Sequence, residues 1–369
     1  KMIYFDNAAT SFYKSEEMAK SVYNYILNSG NPSRGAYELS LNASRIVLET
    51  RIKCAEFFDC SDFNKVIFTS GVTESLNIVI NGLIDKSDHV VTSIYEHNSV
   101  LRPLYKTGCE LSVTNGTVEE IEKAIKRNTK AVIMTHVSNV TGDITNISAI
   151  GELCRKKNIL LIVDSAQSAG VIPISMKKNN IDILCFTGHK ALGGIQGSGG
   201  LCIEGNIDIK PFKVGGSGIH SYDKKHPSEY PTRLEAGTMN VCGILSILKG
   251  IENIEKKGIE NIYNKEKSLS AYCKKRLSEF KDIKIYENTQ KNTSIVSFTV
   301  KDRDSAYISD ILSFKFDICT RAGAHCAPLI HKFFNEESMV RLSFSAENTF
   351  DEIDIFINAL KSILEEKND

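Results

Sequence analysis

The chain has 369 residues, enough for two domains and a sizeable core. Lysine plus arginine equals aspartate plus glutamate at 45 each, so the formal charge is zero and nucleic acid or acidic membrane surfaces are excluded as expected partners. No apolar run reaches the roughly 18 to 20 residues that a membrane helix needs, and the opening KMIYFDNAAT has no export-type segment. Ten cysteines without CxxC pairs, several inside apolar runs such as Cys185 and Cys202, read as reduced thiols, and a cytoplasmic location is expected.

In chain order, an extended start at Ile3 to Phe5 leads to DNAAT and a helical pattern from about Ser15 to Asn28, closed by Gly30. After NPSRG a second helix runs from about Ala36 to Phe58. The pattern then alternates: strand Val66 to Thr69, helix Glu74 to Leu83, strand His89 to Ser93, helix from about Ser99, strand near Leu111, helix Val118 to Ile125 and strand Ala131 to Thr135. A helix from about Ile147 to Lys157 follows, then strands Ile159 to Val163 and Ile181 to Phe186, and a short apolar run at Leu201 to Ile203. Branched strands separated by helix-length segments predict an α/β fold with a mostly parallel sheet and helices on both faces.

From about Ile244 to Phe280 the chain turns to long helical stretches rich in lysine and glutamate. Strands near Ile283 to Tyr286 and Ser294 to Thr299, a helix from about Ser305 to Phe314, strands around Ile318 and Val340, and a last helix from Phe350 to Glu366 complete it. This tail reads as a smaller α+β unit. The expected division is a large domain over 15–250 and a small one over 1–14 and 251–369.

In parallel sheets ligands sit at the carboxyl ends of strands, so the residues after each strand carry the functional reading. Val66 to Thr69 runs into Ser70-Gly71-Val72-Thr73-Glu74, where glycine, a hydroxyl and a helix start would cradle phosphate, or serve only as an N-cap. His89 to Ser93 leads to His97, which could stack on a flat ring and move protons. Ala131 to Thr135 leads to Asn139, an amide in a turn. Ile159 to Val163 ends at Asp164, a carboxylate that is costly to bury without a cation or strong donor; a pyridinium nitrogen is one such partner, and capping the next turn is the plainer role. Ile181 to Phe186 stops at Thr187-Gly188-His189-Lys190 before a glycine-rich turn. A lysine there either reaches solvent along its stem or is neutralised as a Schiff base with pyridoxal phosphate. Each feature is bland alone; their conjunction at one sheet edge is not.

In order, YFDNAAT, NPSRGAYELS, SGVTESLN, EHNSV, SNVTG, VDSAQS, FTGHK, RLEAGTMN, RAGAHCAP and VRLSFSAENT resemble the motifs of fold-type I pyridoxal-phosphate enzymes of the class V aminotransferase family. Within it the chain is similar to group II cysteine desulfurases and selenocysteine lyases. The resemblance implies a large domain built on a seven-stranded-type sheet plus a smaller α+β domain. It implies that Lys190 carries pyridoxal 5'-phosphate, Asp164 pairs with the pyridine nitrogen, His97 stacks on the ring, and Gln167 and Asn139 contact its oxygen side. Gly71, Val72, Thr73, Thr187 and His189 would bind phosphate, with Gly237 and Thr238 completing that site in the neighbouring subunit of a homodimer. Asn7, Ala8 and Arg341 would meet the substrate, Arg341 through its carboxylate.

The resemblance also makes Cys326 the sulfur acceptor, turning L-cysteine into L-alanine with a persulfide on Cys326. Arg321 and His325 beside it would favour the thiolate. L-selenocysteine is the alternative substrate, another lyase or aminotransferase reaction the next, and a sulfur-acceptor protein a further expected partner. No metal is expected. Two positions depart from the family pattern, which commonly has histidine where this chain has Ala324 and Ser33. Lys213 to Pro231, with Gly215, Gly216, Gly218 and His220, reads as a loop near the site's mouth.

Overall fold

Short branched runs such as VIFT, HVVTS, AVIM, LLIVD and ILCFT cannot bury both faces in a helix, and each becomes a strand covered on both sides. The computed structural model describes residues 2–32, 35–289 and 291–365. Its strands are β1 (Ile3–Tyr4), β2 (Val66–Thr69), β3 (His89–Ser93), β4 (Glu110–Thr114), β5 (Thr129–Thr135), β6 (Leu160–Asp164), β7 (Ile183–Thr187) and β8 (Gly199–Ile203). In the last third come β9 (Ile283–Tyr286), β10 (Ile295–Val300), β11 (Ile318–Cys319), β12 (Arg321–Gly323) and β13 (Met339–Ser343).

The helices are α1 (Glu16–Leu27), α2 (Glu38–Phe58), α3 (Val72–Leu83), α4 (Asn98–Thr107), α5 (Val118–Ala124) and α6 (Ile147–Lys157). They continue as α7 (Val241–Lys257), α8 (Ile259–Leu277), α9 (Ser305–Phe316), α10 (Pro328–Phe334) and α11 (Phe350–Glu365).

The main sheet has seven strands in the order β2-β8-β7-β6-β5-β3-β4. All neighbours pair parallel except β8, which runs antiparallel to both β2 and β7. Successive residues of β7 serve opposite faces: Leu184 and Phe186 pack with α2 and α7, whereas Ile183 and Cys185 pack with α3 and α4. Each such isoleucine or leucine, fully buried, contributes about 2 kcal/mol of apolar transfer. The expected mostly parallel α/β architecture is therefore the one the chain adopts.

A separate apolar cluster joins Ile3 and Phe5 to Leu269, Phe298, Leu342 and Phe356 around a four-stranded antiparallel sheet, β12-β13-β10-β9. Strand β1 pairs with β11, which brings the first residues of the chain to its last third.

The differences from the sequence reading are local. The helical stretch from about Ile244 breaks at Gly258, whose φ of 81° ends one helix and opens the next. Asp164 closes β6 rather than following it. Strand β12 and helix α10 lie where no element was expected; Pro328 in the first turn of α10 was the available signal.

Candidate active site

At the carboxyl edge of the main sheet lies a cavity of about 320 Å³, within the range of small-molecule sites. Gly71, Val72 and Thr73 line it from the start of α3, His97 from the start of α4, and Asn139 from the turn after β5. Asp164 and Gln167 line it from the end of β6, and Thr187, His189 and Lys190 from the end of β7. Because β8 runs the other way, its approach, Gln196 and Gly197, reaches the same edge. Ten of the residues singled out in the sequence thus share one space.

The α3 end is shaped by glycine. Gly71 has φ 152° and caps the helix, and a Cβ on Gly199 would lie 2.6 Å from Gly71 Cα, so the two backbones meet where no side chain fits. The first-turn amides have no intrahelical acceptor and face the cavity with the positive end of the helix dipole. Thr73 Oγ1 lies 2.8 Å from Ser99 Oγ, joining the two helix starts.

Lys190 is half-buried, and removal from water is the main reason its amine falls to about 8; Asp164 opposes the shift and Arg341 adds to it. Asp164 is buried, which raises it, while the Ala166 amide donating to Oδ1 at 2.9 Å and the Lys190 charge pull it down. His97 accepts the Ser99 amide at Nδ1 (3.0 Å), which puts its ring proton on Nε2; burial holds it at about 4, so it is neutral. His189, on Thr10 Oγ1 at 3.0 Å, is likewise held at about 4 by burial.

Asn139 donates to the His325 carbonyl at 2.8 Å, but its buried Oδ1 has no partner among the described residues. Gln167 donates to the Ala8 carbonyl at 2.9 Å.

Arg341, on β13, is 3 % exposed and donates to Asp6 Oδ1 at 2.9 Å and the Asn139 carbonyl at 3.0 Å, leaving Nε without a partner among the described residues. Asp6 also accepts Arg321, at 3.0 and 2.8 Å on Oδ2, so one carboxylate holds two guanidinium groups. Asn7 donates to the Ser343 carbonyl at 3.0 Å and the Ala8 amide donates to Ser343 Oγ at 2.8 Å, which pins the DNAAT segment to β13.

Cys326 is the exposed one of the ten free cysteines. Its loop turns through two consecutive left-handed residues, His325 at φ 51° and Cys326 at φ 55°. The Asn98 amide, next to His97, donates to the Cys326 carbonyl at 2.7 Å, and Asn139 holds the preceding carbonyl. The thiol-bearing loop is thereby fastened to two strand ends of the cavity. His325 is not the cationic neighbour expected from sequence: burial holds it at about 3 and it stacks on His331 with centroids 5.7 Å apart. Arg321 pairs with Asp6, and its charge also reaches Cys326.

Gly237 and Thr238 do not line the Lys190 cavity of their own chain; they are exposed and line an adjoining one with Ser70, Glu74 and Gly197. Lys213 meets Glu74 at 2.6 Å, which ties the 213–231 segment to the α3 end. Ser33 lies outside the described residues.

Residues 3–356 match the family model described as Aminotransferase class-V. The chain belongs to that family. A relative named probable cysteine desulfurase from Borreliella burgdorferi is 33% identical, covering 99% of this chain and 92% of that protein. Another of the same name from Pyrococcus abyssi is also 33% identical, over 99% and 94%. The solved apo structure of the cysteine desulfurase of Thermococcus onnurineus NA1 superposes with a TM-score of 0.93 at 31% identity, covering 99% of this chain and 95% of that one.

Class V enzymes use pyridoxal phosphate, and its requirements can be set against this cavity. The helix start offers amides to a phosphate, Asp164 offers a buried carboxylate to a ring nitrogen, and the orphaned Asn139 Oδ1 offers an unused acceptor. These groups fit the cofactor. Sequence reasoning did not single out Asp6, nor Glu96, which is fully buried against the cavity-lining Thr135 and raised to about 7 by burial against three donors from Ser93 and Thr135.

Proposed function

We propose that this chain is a pyridoxal 5'-phosphate-dependent cysteine desulfurase that converts L-cysteine to L-alanine and takes the sulfur on Cys326. The observation that carries the reading is the tether of Cys326: the exposed thiol among ten sits on a loop fastened to the residues flanking His97 and to Asn139. An aminotransferase needs no such cysteine.

In this reading Gly71, Val72, Thr73, Thr187 and His189 hold the phosphate, Asp164 the ring nitrogen, Asn139 and Gln167 the ring oxygen side, and His97 the ring face. The bound cofactor supplies an electron sink at the substrate Cα. Lys190, at about 8, has a substantial neutral fraction near neutral pH and takes the α-proton. His97 is neutral and offers its Nε2 proton as a hydrogen bond. Arg341 orients the substrate carboxylate, with Asn7 and Ala8 beside it. Exposure of Cys326 lets the persulfide pass to an acceptor protein, and Gly237 and Thr238 serve the phosphate site of a second subunit in a homodimer.

Purified protein with pyridoxal phosphate, L-cysteine and a reductant is expected to give alanine and sulfide in equal amounts, and Cys326→Ser to lose both. Full activity in that variant would remove the persulfide role. Faster turnover of L-selenocysteine, retained in Cys326→Ser, would favour the lyase reading instead.

A further inference from the structure

A second cavity, of about 270 Å³, adjoins Lys190 from the side of the amino-terminal segment. The charged groups lining it are Lys14, Lys190, Lys257, Glu266 and Glu347. Glu266, on α8, is 4 % exposed, and its Oε2 has no hydrogen-bond partner among the described residues. The cavity mixes polar and apolar lining and has room for water, and a water bonded there would satisfy the orphaned buried acid. Lys257 and Glu347 pair with each other at the exposed rim. Lys14 donates to Ser11 Oγ at 2.6 Å and to the His189 carbonyl at 3.0 Å, directly before Lys190.

We propose that Glu266 stores the proton that Lys190 needs for a second delivery, and that the hydrated cavity between them carries it. The inference rests on the desulfurase reading above, whose proton count requires it. L-cysteine and the Cys326 thiol become L-alanine and a Cys326 persulfide: a Cβ–S bond breaks, an S–S bond forms, and Cβ gains a C–H bond. The Cys326 sulfur is oxidised as Cβ is reduced, and one of the two thiol protons ends on Cβ. Lys190 takes one proton from Cα and returns one to Cα, so the proton for Cβ is additional. His97 and His325, held at about 4 and about 3 by burial, have no spare proton near neutral pH.

Glu266 has one. Burial raises its carboxyl to about 8 against the pull of the Ser294 hydroxyl and the Ala346 amide, and Lys14 and Lys190, both lowered to about 8 by burial, match it. Transfer between Glu266 and Lys190 therefore costs little. The Glu266 O–H proton moves through cavity water to Lys190 and on to Cβ, the exposed Cys326 thiol releases its proton to solvent, and Glu266 takes one back from solvent at the rim.

The test uses Glu266→Gln, which keeps shape and hydrogen bonding and removes the store. In the holoenzyme, kcat for alanine is expected to fall about tenfold with KM unchanged. In a single turnover the Cys326 persulfide should form at the wild-type rate while alanine lags, and Glu266→Asp should restore part of the rate. In the apoprotein, the pH dependence of Lys190 acetylation, read by mass spectrometry, should have its midpoint about half a pH unit lower in Glu266→Gln, because ionised Glu266 favours the lysine cation. Wild-type alanine rates with an unchanged Lys190 midpoint would overturn the proposal, as would equal slowing of persulfide and alanine. If the wild-type holoenzyme does not turn over cysteine at all, the desulfurase reading fails, and the apoprotein labelling still judges the link between Glu266 and Lys190.

Discussion

Asp6 stands between two guanidinium groups, Arg341 and Arg321, and the first of these is almost wholly buried. Removing the carboxylate leaves an uncompensated buried cation, so Asp6→Asn is expected to cost about 3 kcal/mol in a urea unfolding series and to raise KM for cysteine by loosening Arg341. Unchanged stability would show that the carboxylate is dispensable. Glu266 makes a second prediction, in stability. Its folded value, about 8, lies above the usual carboxylate range, so its contribution is complete below the unfolded value and is lost as pH rises through the folded one. Glu266→Gln should therefore gain on the wild type between about pH 5 and about pH 9, read as urea midpoints at the two values. Lys190, Asp164 and His97 were legible in the sequence because each follows or closes a branched run, where ligand-facing residues of a parallel sheet must lie. Glu266 was not: it is one glutamate in a stretch full of them, and only packing against Ser294 and Ala346 sets it apart from exposed Glu260. Nor could sequence show that His325, next to Cys326, is half-buried, stacks on buried His331 and is so held neutral.

Among the elements, the start of α3 and the start of β8 depend on each other. A Cβ on Gly199 would sit 2.6 Å from Gly71 Cα and 2.7 Å from the Phe186 carbonyl, backbone that has nowhere to go. Gly199→Ala is expected to destabilise the protein by about 1 to 3 kcal/mol and to weaken pyridoxal phosphate binding by displacing the amides of α3, measured by thermal unfolding and by titration with the cofactor. Binding at wild-type strength would argue that the helix start is not the phosphate seat. The alternation of strands and helices was readable from hydrophobic period and breakers. The reversal of β8 was not, since a five-residue apolar strand reads the same in either direction and only its partners β2 and β7 fix it. Strand β12 was hidden for a related reason: three residues, one of them glycine, make no pattern.

At the scale of the whole molecule, Gly237 and Thr238 lie outside the Lys190 cavity of their own chain, and in the homodimer proposed above they would complete the phosphate site of the second copy. Sedimentation equilibrium is expected to return twice the chain mass of 41.0 kDa, and Thr238→Ala to release the cofactor faster while staying dimeric. A monomer that binds the cofactor tightly would contradict that arrangement. The family-level fold was visible in the order of ten motifs along the chain, whereas the joining of β1 to β11, across most of its length, appears in no local pattern. All of this converges on one amine. The protein, saturated with pyridoxal phosphate, reduced with borohydride and digested, should yield a single peptide bearing the pyridoxyl mark, on Lys190, and Lys190→Ala should yield none; a mark on any other lysine, or no mark on the wild type, would contradict the account.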